Sequence, residues 1–421
     1  MSTINPQLPQ ADFADELRAL NLPSFSAARL AVARSLVAFC FVWPFFNFAF
    51  FIPDNAMEID FLPVFLAAAI LPKIALRQKL SILLAMPVFA VALFWANPTA
   101  PLRLAIGIIP LHFVINLTRH LRERGQDLIP PNLAYRCLQV FIAFCAIQTV
   151  QINMFTVIPE WLSDTLTAII PRYMAVAYDD LGIRGVQGWA SEPSSAGLMC
   201  LAFALVAIAK RPDRRWRVLA LFALLVSLNK SIYCLILMIL LGFACAFTVR
   251  RQVYSFMTMA VLAIGGIVYS AHSGRFAELS ANIAIDGLNR ESNHELMRFL
   301  QILNPLEQFP HVYQPMLLNG TLAMEPMGLL PLVVGYGSVA GLLWLGYMFW
   351  HNFPRGLGRQ LPLTLVAVFV LLIMAPPDLI PSVVAVAVLL NPKKLKPGAA
   401  IPDAFSEGVA RVADFNHHTG V

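Results

Sequence analysis

Charge is scarce in this chain: Asp, Glu, Lys and Arg make up 13% of its 421 residues, about half the share usual in soluble domains. That scarcity excludes an ordinary water-facing surface, which needs charged side chains to cover it. Patterned cysteine is also missing. Cys40, Cys137, Cys145, Cys200, Cys234 and Cys245 all fall in apolar segments without C-x-x-C spacing and read as small buried hydrophobes. No His/Cys/Asp spacing resembles a zinc site, and no D-x-D pair is present to hold a metal-bound sugar nucleotide. Gly335-Tyr-Gly337 lies in an apolar span with no strand before it, so it is no phosphate-cradling loop. Internal repeats and low-complexity tracts are absent. The N-terminus is polar and acidic (Asp12, Asp15, Glu16) and lacks a basic region ahead of a short apolar core. The first long apolar run therefore reads as a retained anchor rather than a cleaved leader.

What the chain has instead is hydrophobicity: 58% apolar residues and a mean hydropathy of +0.69. This composition predicts an integral membrane protein, all-α and built as one polytopic helical bundle. The net charge of +6 raises the question of nucleic acid, but the basic residues sit in short runs between apolar segments. Membrane topology accounts for them, so no nucleic-acid partner is expected. A span needs roughly 20 mainly apolar residues, fewer inside a bundle. The candidates are 30–52, 59–72, 80–96, 102–117, 133–158, 195–209, 218–229, 231–248, 253–271, 326–350, 361–374 and 379–391, about twelve in all. Every second connection is basic: Lys73 to Lys79, Arg119 to Arg124, Lys210 to Arg217, Arg250 and Arg251, Arg355 and Arg359, and Lys393 to Lys396. Short loops rich in Lys and Arg stay in the cytoplasm. Both the segment 1–29 and the tail 392–421 are accordingly expected there, flanking a membrane domain over 30–391. The stretch 218–248 must go out and back in about thirty residues, which predicts a hairpin of short helices with its tip, Ser227 to Ser231, sunk in the bundle.

Two outer connections, 159–194 and 272–325, are long enough to carry function. Trp161, Leu162, Leu166, Ile169 and Ile170 suit a helix lying along the membrane surface. Leu296, Phe299, Leu300 and Leu303 form a helical stripe opposite Arg290, His294, Arg298 and Gln301. An arginine grips pyrophosphate well, because its planar fork keeps its charge and donates paired hydrogen bonds. Arg184, Arg290 and Arg298, with Arg275 near the end of a span, are the candidates; each also has an acid in reach along the chain (Asp179, Asp180, Glu291, Glu295) that it could simply neutralise. Lys230 at the hairpin tip is a further cation, costly in apolar surroundings unless it faces a polar cavity. Glu192, just before Pro193, is a candidate general base or an acid placed at a helix N-terminus by the macrodipole. His294 and His311 are candidate proton carriers or ordinary surface groups.

Taken together, R-G-V-Q-G-W-A-S-E-P-S-S-A-G at 184–197, S-L-N-K-S-I at 227–232, R-E-S-N-H-E-L-M-R-F at 290–299 and E-P-M-G-L-L-P at 325–331 resemble the Wzy-type O-antigen and exopolysaccharide polymerases. These share a superfamily with the O-antigen ligases. The resemblance implies a glycosyltransferase C-like membrane fold in a bacterial inner membrane. It implies joining of oligosaccharide repeat units carried on undecaprenyl pyrophosphate, at the outer face, with no cofactor and with other polysaccharide-export proteins as partners. The family's arginine-rich outer loops correspond here to Arg184, Arg290 and Arg298, and the basic residue of its short hairpin to Lys230. The hairpin carries N-K where S-R is more typical. A ligase would differ only in acceptor, a flippase or other transporter would show matched repeats or broken spans in both halves, and a scaffold would need no cations gathered at two outer loops.

Overall fold

A computed structural model describes residues 27–42, 49–52, 55–58, 61–93, 100–154, 186, 188, 190, 193–229, 231–247, 328–353, 360–375 and 379–391. Among them the chain is mostly helical. In order these are α1 (Ala27–Val42), β1 (Ala49–Ile52), β2 (Asn55–Glu58), α2 (Leu62–Ile70), α3 (Pro72–Ala75), α4 (Lys79–Ala92), α5 (Ala100–Glu123) and α6 (Leu133–Met154). There follow α7 (Pro193–Lys210), a 3₁₀ turn (Pro212–Arg214), α8 (Arg215–Asn229), α9 (Ile232–Phe247), α10 (Leu329–Asn352), α11 (Leu361–Phe369) with a π-turn (Val370–Met374), and α12 (Ile380–Leu390). Three helices are long and apolar enough to cross a membrane, over Pro101–Glu123, Leu133–Val150 and Leu329–Asn352, and five more are apolar but shorter. Contacts divide the chain into a unit of Met1–Asn391 and a unit of Pro392–Val421; the second lies outside the described residues, as does the expected span 253–271.

Helix boundaries follow local chemistry. Pro193 opens α7, where a missing N–H and a fixed φ cost nothing. At the end of α5, Gln126 N–H donates to the Leu121 carbonyl and Gly125 N–H to that of Arg122, the paired bonds that close a helix on a left-handed residue. The expected 30–52 span divides: α1 stops at Val42, two residues before Pro44, and Ala49–Ile52 pairs antiparallel with Asn55–Glu58 instead. Aromatic and β-branched residues ahead of Pro53-Asp54 favour a hairpin over a continued helix. Within the expected 59–72 segment α2 ends at Ile70, and Pro72 starts a separate turn after Leu71.

The stretch 218–248 is two helices, α8 and α9, packed on one another, with Asn229 and Ser231 buried at their junction. At ~1.5 Å per residue, α8 is about 22 Å long, short of a full bilayer crossing. α7 is enclosed by α6, α8, α9 and α12, and its buried positions run unbroken from Ala196 to Ile208. α10 packs along α4 and is interrupted at Ser338, whose φ of 53° and ψ of −140° are non-helical.

Candidate functional site

Two polar centres lie at opposite ends of the bundle, because successive helices run up and down. The basic connections meet at one end. Arg77, between α3 and α4, donates both Nη atoms to the Glu123 carboxylate at 3.0 and 2.8 Å. Its carbonyl accepts from Asn116 Nδ2 at 3.2 Å and lies 3.0 Å from His112 Nε2, both on α5. Arg119 Nη2 and Gln78 Nε2 both donate to Asn352 Oδ1, at 2.6 and 3.0 Å, tying α5 and the α3–α4 connection to the end of α10. Asp127 receives Arg122 Nη1 and Lys210 Nζ, each at 2.7 Å. Arg214 donates to Asn132 Oδ1 at 3.4 Å and covers the Tyr135 ring. Forked and shared pairs of this kind join four connections that the sequence separates by up to 274 positions.

The other end gathers pieces of three segments that the sequence had singled out. Val186 N–H donates to the Leu228 carbonyl at 3.4 Å, and Asn229 Nδ2 donates to the Val186 carbonyl at 2.9 Å. The chain around 186 thus lies against the α8–α9 tip, with Val186 and Ala190 buried. Two residues on, Gly188 takes φ +64°, and its N–H donates to Gln148 Oε1 of α6 at 2.9 Å. A Cβ at Gly188 would stand 2.5 Å from Phe141 Cζ and 3.1 Å from Cys145 Sγ. Gln148 is buried, and its Nε2 has no hydrogen-bond acceptor among the described residues.

Beyond the tip, Tyr233 O–H donates to the Met374 carbonyl at 2.7 Å. That carbonyl ends the π-turn, whose wide i to i−5 ring is closed by Ala375 N–H on the Val370 carbonyl. Gly328, just ahead of α10, abuts the Leu372 carbonyl of the same turn. Single π-turns inside α-helices recur at functional sites, and this one is where the hairpin, the start of α10 and the end of α11 meet.

Every residue singled out in the sequence for chemistry, Arg184, Glu192, Lys230, Arg275, Arg290, His294, Arg298 and His311, lies outside the described residues, as do both surface stripes at 161–170 and 296–303. What the structure brings together is their neighbours: Val186 and Gly188 follow Arg184, Asn229 precedes Lys230, and α7 starts directly after Glu192. Sequence reasoning passed over Gln148, Tyr233, His112 and Asn116. The available signal was a polar side chain interrupting an apolar run, in 133–158 and 102–117. Among the described residues no three His, Cys, Asp or Glu side chains approach as a cation site requires. All six cysteines are free and buried.

Comparison with known proteins found no matching family model, no similar curated protein and no similar solved structure.

Proposed function

We propose that this chain is a polysaccharide polymerase that joins oligosaccharide repeat units carried on undecaprenyl pyrophosphate at the outer face of a bacterial inner membrane. In this reading the bundle has about twelve spans and both termini are cytoplasmic. The supporting observation is the junction itself. The 184–197 and 227–232 segments are two of the four that together carry the resemblance, and Val186 is hydrogen-bonded to both Leu228 and Asn229.

Arg184 stands two residues from one side of that junction and Lys230 one residue from the other. Each Cα–Cα step is about 3.8 Å, so covalent linkage alone tethers two cations to one end of the bundle. Transfer breaks the bond between the growing chain's terminal sugar and its pyrophosphate. It forms a bond to a hydroxyl of the next lipid-linked unit and releases undecaprenyl pyrophosphate. The hydroxyl proton goes to a carboxylate or imidazole, for which Glu192, His294 and His311 are the candidates. Negative charge grows on the departing pyrophosphate, and fixed guanidinium groups at Arg184, Arg290 and Arg298, helped by Arg275 and Lys230, stabilise it most in the transition state.

Purified protein in lipid should lengthen a lipid-linked oligosaccharide without added nucleotide sugar. Replacing Arg184, Arg290 or Arg298 with Lys should cut that activity despite the retained charge, because forked donation is lost. Unchanged polymer length and amount from inserted Lys variants would remove the arginines from the site, and no elongation by the wild type would end the polymerase reading.

A further inference from the structure

Among the described residues, the basic end carries more positive charge than its ion pairs consume. Glu123 is taken by Arg77, and Asp127 by Arg122 and Lys210. Around the start of α8 and the first turn of α6 stand Arg136, Arg211, Arg214, Arg215 and Arg217, with Asp213 as the acid between them. Arg214 is turned inward onto Asn132 and Tyr135. Arg136, Arg211 and Arg217 are exposed, and so is Trp216, with the Arg215 guanidinium 5.6 Å from its ring centroid.

The surroundings distinguish this patch from a soluble basic face. On α6 the exposed side of the helix continues from Arg136 through Val140, Ile147 and Val150, all large apolar groups left uncovered. On α8 it continues from Trp216 to Leu224. The cations and the indole therefore cap two exposed apolar stripes. That is the arrangement of a membrane border, with acyl chains along the stripes and headgroups at their ends.

We propose that Arg136, Arg211, Arg215 and Arg217 around Trp216 form a seat for anionic phospholipid headgroups of the leaflet at the basic end. A phosphodiester is drawn by the arginine charges while its acyl chains cover Val140, Ile147 and Leu224. An indole at this level is held by its amphipathic ring. An acidic soluble partner would leave the adjoining apolar stripes uncovered.

The test is native mass spectrometry of the full-length detergent-purified chain titrated with phosphatidylglycerol or phosphatidylcholine of matched acyl chains. Each surface arginine contributes about a 5-fold preference at low ionic strength. Phosphatidylglycerol should bind at least 10-fold more tightly, and the triple variant R136Q/R211Q/R217Q should lose on the order of 100-fold of that affinity. The triple Lys variant should stay within a few-fold of wild type, because the attraction is mainly to charge. Equal affinity for the two lipids, or full phosphatidylglycerol binding by the Gln variant, would overturn the proposal. Displacement of the lipid by millimolar inorganic phosphate would reassign the patch to a free anion. A melting temperature of the Gln variant equal to wild type separates lost binding from lost folding.

Discussion

Gly188 is the position where a single methyl group should do the most damage. Its φ of +64° strains any side chain, and the space for a Cβ is already filled by Phe141 and Cys145. Gly188→Ala should destabilise the protein by about 1–3 kcal/mol, read as a lower melting temperature in detergent. Phe141→Leu in the same chain should return part of the loss by vacating the ring atoms. An unchanged melting temperature for Gly188→Ala would show that the close approach is not real. Gln148 works on the same backbone unit from the other side. Gln148→Leu would leave the Gly188 N–H buried without an acceptor, at a cost of about 1–3 kcal/mol. Tyr233→Phe should cost less, about 0.5–1.5 kcal/mol, because the bond to the Met374 carbonyl that it loses is a neutral one. A ranking in which Tyr233→Phe is the most damaging of the three would contradict this picture.

At the level of elements, α7 is the helix that cannot be pushed away. Gly197 lets it approach α9 so closely that a Cβ would collide with Cys234 Sγ. Gly197→Leu should therefore separate the two helices and abolish stable expression, while Gly346→Leu, at a position with open space beside it, should be tolerated. Equal yields of folded protein from both would refute the packing argument. The hairpin from 218 to 248 was legible in the sequence because an out-and-back path, unlike one long tilted helix, keeps the alternation of basic runs downstream. Most of the expected apolar segments coincide with helices to within a few residues among the described residues, because apolar run length is a one-dimensional quantity. The break at Ser338 was not legible, since Ser is ordinary in a helix and nothing in its neighbourhood along the chain announces a φ of 53°. The β1–β2 ladder was hidden because Phe50, Phe51 and Ile52 are as apolar as a helix end. The meeting of 186 with 228 and 229 was not legible either: hydropathy says how far a segment travels and nothing about which one it touches. The candidate cations remain readings of the sequence, since they lie outside the described residues.

For the molecule as a whole, the shared pairs among the basic connections fix which helix ends lie together. In the proposed topology the regular Lys/Arg alternation places that end in the cytoplasm. Single cysteines at Ser163 and Asn282 should react with an impermeant thiol reagent in intact spheroplasts, and one at Gln126, beside the Arg122–Asp127 pair, should not. The reverse labelling would invert the topology. Under the proposed polymerase activity, loss of the protein in cells should leave single repeat units on lipid exposed outside, where an added glycan-modifying enzyme reaches them; protection until the membrane is permeabilised would indicate failed flipping instead.

The polar end of α5 also has a consequence for biogenesis. His112, Asn116, Arg119 and Glu123 are all paired at this end of α5 in the folded bundle, yet those partners emerge from the ribosome at different times. Arg77 and Gln78 are synthesised before α5, so Glu123 and Asn116 meet their partner on release. Asn352 follows Arg119 by 233 residues. For that interval Arg119 has to be sheltered by the insertion machinery or by water. Chains truncated after α9 should consequently be cleared by membrane proteases faster than full-length Arg119→Leu, which asks for no late partner.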